Sequence, residues 1–144
     1  MAGFIFNFTK YTEWPPAALS GAELLVCSPS AQPLSGKLAA LQGQLVQGRT
    51  IQIQSPARQG EWRDCHVLFV AADDAQRIDA VLKNTAQRAV LTISDAPDFV
   101  QSGGMIGLKL RGGRIRFEIN QGAARQAGLK LSSQLLKLAD EVLP

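Results

Sequence analysis

The segment CHVLFVA at residues 65–71 is the most apolar stretch of the chain. The longest unbroken apolar run, Val67 to Ala72, is far shorter than the roughly 18 residues that a membrane-spanning helix requires, so the sequence predicts no such helix. Apolar side chains at successive positions of a short segment indicate a strand that is covered on both faces, as in parallel sheets. The fold must therefore supply a covering layer on each side of this strand.

Strand and helix patterns alternate along the first 100 residues. Strands are predicted at 23–27, 50–54, 65–71 and 89–93, and helices over 2–13, around Leu34 to Leu41, after Asp73 or Asp74, from 120 to 127 and from Ser132 to Val142. The last helix would bury Leu135, Leu138 and Val142. Such alternation is typical of a mostly parallel sheet with helices on both faces. The fold class is therefore α/β, in a single three-layer domain over residues 1–144.

The clearest local pattern is a hairpin at about residues 105–119. Apolar residues alternate with polar or glycine residues on both sides of Gly112-Gly113, at Ile106, Leu108, Leu110, Ile115, Phe117 and Ile119. Glycine readily adopts the positive φ that a tight hairpin turn requires. The two strands would form an antiparallel hairpin at one edge of the sheet.

The hairpin also carries the densest group of basic residues, which are Lys109, Arg111, Arg114 and Arg116. Nucleic-acid binding favours clustered cations, and no aromatic platform for stacking bases accompanies these four. The net charge of +3 is only mildly basic. We therefore interpret the four side chains as a solvated face, and nucleic acid is not predicted as a partner.

No combination of residues predicts catalysis, a metal site or a cofactor site. The sequence contains neither CxxC nor HExxH, and His66 is its only histidine. His66 follows Cys65 on a predicted strand, where adjacent side chains point to opposite faces, so the two cannot form a nucleophile pair. A packed, hydrogen-bonded histidine is expected instead. For Cys27 and Cys65, the residues alone leave a disulfide and two free thiols equally open.

Acidic residues follow two of the predicted parallel strands. Asp73, Asp74 and Asp95 would lie at the carboxyl edge of the sheet, where α/β proteins bind ligands and where carboxylates could hold magnesium. Helix capping by Asp73 or Asp74 and a turn at Asp95 explain them more simply. The glycines at 103, 104 and 107 resemble a phosphate loop only loosely, because they precede a strand instead of opening a helix.

Six segments together resemble the YfiR family of bacterial periplasmic proteins. They are FNFTKYTEWP at 6–15, CHVLFV at 65–70, VLTISD at 90–95, GGMI at 103–106, RIRFEIN at 114–120 and AGLKLSSQLLKLA at 127–139. They span nearly the whole chain in the family's order. The first residues lack the basic and apolar regions of a signal peptide, so the sequence is expected to be a mature region.

The resemblance implies a function. The best-known member of the YfiR family represses an inner-membrane diguanylate cyclase by binding the periplasmic sensor region of that enzyme. By resemblance, this protein is expected to be a non-enzymatic periplasmic regulator that lowers cyclic-di-GMP output and biofilm formation. In an oxidising periplasm a Cys27–Cys65 disulfide becomes the favoured arrangement. That member has a second cysteine pair, which is absent here, so a redox switch built on it cannot be carried over and the remaining bond would be structural.

The matched segments supply candidates for a partner-binding surface. These candidates are Asp95, Gly103, Gly104, Glu118 and Asn120. The alternative is that glycine and asparagine only shape turns and that Glu118 is only solvated. A homodimer through the edge hairpin is a further prediction.

A small-molecule sensor domain is the alternative function. The predicted crevice beyond the strands that end at Ala71 and Ser94 could hold a ligand. The last segment, from Asn120 to Val142, is similar to the closing motif of periplasmic substrate-binding lobes. Such a domain would work with a histidine kinase or another membrane receptor.

Overall fold

A computed structural model describes residues 2–19, 21–31 and 33–144, with backbone only at 33–35. Its strands are β1 (Thr12–Glu13), β2 (Glu23–Cys27), β3 (Leu45–Val46), β4 (Arg49–Gln54), β5 (Val67–Val70), β6 (Leu91–Ser94), β7 (Ile106–Arg111), β8 (Arg114–Asn120), β9 (Lys130–Leu131) and β10 (Glu141–Leu143). Its α-helices are α1 (Ala2–Lys10), α2 (Ile78–Thr85), α3 (Gln121–Gln126) and α4 (Ser133–Leu138). Tighter 3₁₀ turns occupy Pro16–Leu19, Pro33–Leu41, Gln59–Asp64 and Ala72–Arg77.

Among the described residues, eight strands form one mixed sheet in the order β10-β8-β7-β6-β5-β2-β4-β3. The central neighbours, from β7 through β6, β5 and β2 to β4, are all parallel. The β7–β8 and β3–β4 pairs are antiparallel. Strands β1 and β9 form a separate antiparallel pair. The α/β fold with a mostly parallel sheet and a lateral hairpin is therefore confirmed.

Helices cover both faces of the sheet, since β5 contributes side chains to two separate apolar clusters. Val67 and Phe69 pack in the larger cluster with residues of α1, α3 and α4. Leu68 and Val70 pack in the smaller cluster with Trp62 and with Val81 of α2. All four residues of β5 are fully buried, as the apolar pattern predicted.

The C-terminal segment differs from the prediction. Helix α4 ends at Leu138, whose side chain is 69% exposed, and Glu141–Leu143 form the edge strand β10. This strand pairs in parallel with residues 118–120 of β8, and the backbone N–H of Asp140 donates to the carbonyl of Phe117. The predicted helix to Val142 is wrong because the unpaired edge of β8 offers this segment hydrogen bonds that a further helical turn would not replace.

The central helical pattern is only partly described. Leu38 and Leu41 are buried, and they lie in 3₁₀ turns instead of the predicted helix. The side chain of Leu34, the first residue of that pattern, lies outside the described residues. The hairpin β7–β8 lies beside β6 as expected, and β10 is the strand beyond it.

Candidate functional site

A groove of about 380 Å³ lies beyond the carboxyl end of β6. Residues 95–99, Gln101, residues 107–110 and Glu118 line it. Strand β6 ends at Ser94, which pairs with Gly107, whereas β7 continues to Arg111. The hairpin therefore forms one wall of the groove, and the loop after β6 forms another. Two of the predicted site residues, Asp95 and Glu118, meet at this groove.

Asp95 holds in place the start of the turn that follows β5, the strand beside β6 in the sheet. Its Oδ1 accepts a hydrogen bond of 2.7 Å from the backbone N–H of Ala72, which follows β5. Because β5 and β6 are adjacent and parallel, their carboxyl ends bring these two residues together. Asp95 is half-buried, so part of its carboxylate also faces the groove.

The predicted capping by Asp73 or Asp74 is wrong. Neither the turn Ala72–Arg77 nor α2 has a side-chain cap. Asp74 is buried, and its carboxylate instead accepts from Ser30 Oγ at 2.9 Å and pairs with Arg77 Nε at 3.1 Å. Asp74 thus ties the turn after β5 to the loop after β2, which the order of residues along the chain could not reveal.

Glu118 lies on β8 directly opposite Gly107 of β7. Its Oε2 is 3.5 Å from Lys109 Nζ, and its side chain is 15% exposed. Asp98, which is exposed, adds a third carboxylate to the groove lining, so acidic groups outnumber Lys109 there. A surface of this kind can accept hydrogen bonds and ion pairs from lysine, arginine or backbone N–H groups of a partner. Among the described residues, no group of three or more His, Cys, Asp or Glu is placed to hold a metal ion.

The side chain of Asn120 connects β8 of the hairpin to the loop after β6, which lines the groove. Its side-chain oxygen accepts from the N–H of Ala123 at 3.0 Å, which caps α3. Its amide nitrogen donates to the carbonyl of Val100 at 3.1 Å. Both ends of the side chain are therefore used within the protein, and the contacts favour a positioning role for Asn120.

We expect Asn120→Ala to lower the free energy of unfolding by about 1–2 kcal/mol, because it removes the cap and one further hydrogen bond. Asn120→Asp keeps the capping oxygen and should lose less. Chemical denaturation of the three proteins measures the difference. Equal losses in the two variants would contradict the assignment of the cap as the larger contribution.

Gly103 and Gly104 lie in the turn between the loop and β7. Gly103 has a φ of +111°, which side-chain-bearing residues rarely adopt. A Cβ on Gly104 would lie 2.1 Å from the buried ring of Phe99. The two glycines therefore shape the loop that carries Asp95 and Asp98. Neither glycine lines the groove itself.

The single histidine is packed and hydrogen-bonded. The backbone N–H of Leu25 donates to His66 Nδ1 at 2.9 Å, and Nε2 lies 2.6 Å from the carbonyl of Ala18. These contacts place the ring proton on Nε2. The backbone carbonyl of His66 accepts from Trp14 Nε1 at 3.1 Å. His66 therefore links the segment after β1, from Trp14 to Ala18, to the central strands.

Cys27 and Cys65 form a disulfide with a Cα–Cα distance of 6.2 Å. Cys27 ends β2, and Cys65 lies two residues before β5, the strand that pairs with β2. Both residues are buried in the smaller apolar cluster beside Trp62. The bond thus crosses between neighbouring parallel strands at the opposite end of β5 from the groove.

A family model described as YfiR/HmsC-like matches residues 1–140. This chain belongs to the YfiR/HmsC-like family. The YfiR/HmsC-like proteins are periplasmic, regulatory and non-enzymatic, and they act in cyclic-di-GMP signalling. The disulfide fits an oxidising compartment of that kind. In the part of the chain that the structure covers, no helix combines the length and apolar character needed to cross a membrane.

Two solved structures share the fold of this YfiR/HmsC-like chain. One is a conserved domain protein from Vibrio cholerae O1 biovar eltor, with a TM-score of 0.64, 14% identity, 98% of this chain covered and 59% of that chain. The other is the ABC domain in complex with L-Trp from Streptococcus pneumonia, with a TM-score of 0.57, 14% identity and coverages of 89% and 57%. This chain therefore spans less than two thirds of either protein, and at such identity the likeness concerns the fold.

Lys109 and Asp98 are groove residues that sequence reasoning missed. The sequence predicts a solvated face for Lys109, whereas in the structure Lys109 pairs with Glu118. A two-residue turn at Gly112-Gly113 places Lys109 opposite Arg116. Glu118 lies two positions further along the same strand and on the same face, so the hairpin register alone predicts that Lys109 and Glu118 are neighbours. Asp98 gave no signal, since its place depends on how the loop after β6 folds back.

Proposed function

We propose that this protein binds the periplasmic sensor region of an inner-membrane diguanylate cyclase and inhibits the enzyme. The observation that carries the proposal is the family match over residues 1–140. Inhibition would lower cyclic-di-GMP output and biofilm formation. The protein itself contributes binding energy only, and the cyclase performs the chemistry on the other side of the membrane.

Inhibition by binding requires a preference between two states of the partner. A regulator that binds the inactive state of the sensor region tenfold more tightly shifts the equilibrium by about 1.4 kcal/mol toward that state. A surface held in one conformation binds with less loss of conformational entropy. Two walls of the groove have this property, which are the sheet and the loop fixed by Asp95 and Asn120.

Affinity capture tests the proposal. The oxidised protein is immobilised, and detergent-solubilised envelope from the source bacterium is passed over it. Recovery of a membrane diguanylate cyclase, followed by lower cyclic-di-GMP synthesis when the purified proteins are mixed, is the expected result. If a purified cyclase neither binds nor loses activity, the proposal is wrong.

Glu118 is the residue we expect to contribute most to this binding. Glu118→Gln keeps the shape of the side chain and removes its charge, so affinity for the sensor region should fall about tenfold. The melting temperature should change little, because the partly exposed pair with Lys109 contributes at most about 1 kcal/mol. Surface plasmon resonance measures the affinity.

Glu23→Gln is the matched control for this variant. Glu23 is an exposed carboxylate at the start of β2, far along the sheet from the groove, and the substitution removes the same charge. If the Glu118→Gln and wild-type proteins bind the sensor region with equal affinity, Glu118 does not belong to the binding surface.

A small-molecule sensor is the second candidate function. The groove at the carboxyl end of parallel strands favours it, because such edges commonly bind ligands. One protein of similar fold was solved in complex with L-Trp. Thermal-shift screening with amino acids, L-Trp included, is expected to raise the melting temperature if the groove binds one of them. The absence of any reproducible stabilisation would argue against this candidate.

The homodimer also stays a prediction. The strands at the two edges of the described sheet are β10 and β3, so a dimer through sheet extension would use one of these and not the hairpin. Light scattering of the purified protein determines its mass in solution. A monomer at all concentrations would contradict the prediction.

A further inference from the structure

The outer half of the β7–β8 hairpin carries two pairs of cations that face each other. In its register Lys109 lies opposite Arg116, and Arg111 lies opposite Arg114. Directly opposed residues of an antiparallel pair share one face, so all four positive groups lie on the same side of the ribbon. Like charges in this arrangement repel and destabilise the hairpin. The fold of the hairpin does not require these four positive charges.

The two pairs differ in their neutralisation. Lys109 has Glu118 as its partner, and Arg116 Nη1 lies 3.1 Å from Asp140 Oδ1. Arg111 and Arg114 are exposed, and no salt bridge to either is found among the residues that the structure describes. The Arg111–Arg114 pair therefore presents an unneutralised double positive charge at the tip, next to the acidic groove on the same face.

We propose that the Arg111–Arg114 pair binds a segment of a partner protein that carries at least two aspartate or glutamate residues. The planar guanidinium group donates two parallel hydrogen bonds to a carboxylate, which suits arginine to such a partner. For the identity of the partner, the inference rests on the proposed function. It adds that the sensor region is acidic where it contacts the hairpin.

An anionic membrane is the less suitable occupant. Binding to anionic lipid typically uses about four to eight basic residues, each contributing about 1 kcal/mol near the surface. Here Glu118 and Asp140 already neutralise Lys109 and Arg116, which leaves Arg111 and Arg114 as the two free cations among the described residues of the hairpin. Two carboxylates of a protein segment match this number, whereas a lipid surface would hold the hairpin weakly.

The test uses a hexaglutamate peptide as the probe and three forms of the full chain. These are the wild type, R111E/R114E and the control R63E/R88E, which changes net charge equally. Arg63 and Arg88 are exposed near the amino ends of β5 and β6, whereas the hairpin tip projects beyond the carboxyl ends of these strands. We expect the largest amide shifts in NMR at residues 109–116. Affinity should fall at least tenfold in R111E/R114E and less than twofold in R63E/R88E, and it should weaken as salt is added.

Arg114→Glu alone separates binding from folding. It places a carboxylate opposite Arg111, so the melting temperature should equal or exceed that of the wild type while the affinity for hexaglutamate falls. Equal losses of affinity in R111E/R114E and R63E/R88E, or shifts elsewhere on the protein, would overturn the inference. Tip-dependent pelleting with phosphatidylglycerol vesicles, without tip shifts on adding the peptide, would also overturn it in favour of a membrane.

Capture of the cyclase distinguishes this inference from the proposed function. If R111E/R114E still captures the cyclase with wild-type affinity, the inference fails and the proposed function stands. If the wild type binds hexaglutamate at the tip and captures no cyclase, the acidic-segment site stands and its partner is a different protein.

Discussion

Replacement of Cys27 and Cys65 by alanine is expected to lower the free energy of unfolding by about 4 kcal/mol. The bond closes a loop with a sequence separation of 38, and a loop of this size loses roughly that much entropy in the unfolded chain when it is cross-linked. Both positions are buried, so the smaller side chains also remove packing. The variant should therefore unfold at a much lower denaturant concentration.

Urea denaturation of the oxidised wild type and of C27A/C65A measures this effect. Wild-type protein reduced in denaturant and refolded under reducing conditions keeps both sulfur atoms and separates loop entropy from packing. Dithiothreitol should not alter the stability of C27A/C65A. A loss below about 1 kcal/mol in the alanine variant would contradict a stabilising role for the bond.

Gly104→Ala is expected to destabilise the protein by about 3 kcal/mol. Three ring atoms of Phe99 would lie 2.1–2.4 Å from the added Cβ, and the ring is fully enclosed, with 2% of its surface exposed. Overpacking of a closed interior typically costs about 1–3 kcal/mol and occasionally more. Because Phe99 belongs to the loop after β6, the groove should also change shape.

Gly107→Ala is the matched control. Gly107 lies three residues further on, in β7, and its added Cβ would meet Val100 at an ordinary contact distance of 3.5 Å. Thermal unfolding of both variants should show a large drop for Gly104→Ala and little change for Gly107→Ala. Equal behaviour of the two variants would mean that the Phe99 ring moves aside easily.

Elements with a strong periodic pattern could be predicted from the sequence. The strand Glu23–Cys27 and the alternating hairpin agree with their predicted positions within about a residue, because burial on one or both faces determines their pattern. The segment after Leu138 could not, since Val142 satisfies a helical stripe and a half-buried edge strand equally well. Its conformation depends on hydrogen bonds with β8, which lies about twenty positions earlier.

The candidate site was partly predictable for a similar reason. Placement at the carboxyl end of a parallel strand correctly brought Asp95 to the groove, and the hairpin register brought Glu118 there. The partners of these carboxylates depend on tertiary contacts. Local sequence predicts neither the hydrogen bond from the N–H of Ala72 to the carboxylate of Asp95 nor the buried position of Asp74. Whether the five predicted residues bind a partner stays a prediction.

Neighbouring strands of the sheet support the hairpin only near its base. Strand β6 pairs with β7 only at residues 106–107, and β10 pairs with β8 only at residues 118–120. The ring of Phe117 packs against Phe8 of α1, with 4.9 Å between centroids. Arg116 also pairs with Asp140, and Ile115 packs against the larger apolar cluster. Beyond these contacts, in the described part of the chain, the backbone of the two strands pairs only within the hairpin, and isolated two-stranded ribbons are marginally stable in water.

Amide hydrogen exchange should therefore be graded along the ribbon. Amides near Ile106 and Ile119 should exchange only through large-scale unfolding, while those near Gly112 exchange through local opening at little free-energy cost. A partner that binds the tip would have to immobilise it. The loss of conformational entropy would then offset part of the favourable electrostatic energy of binding. This cost lowers the affinity, so the complex would dissociate faster than one formed by a rigid surface of the same charge.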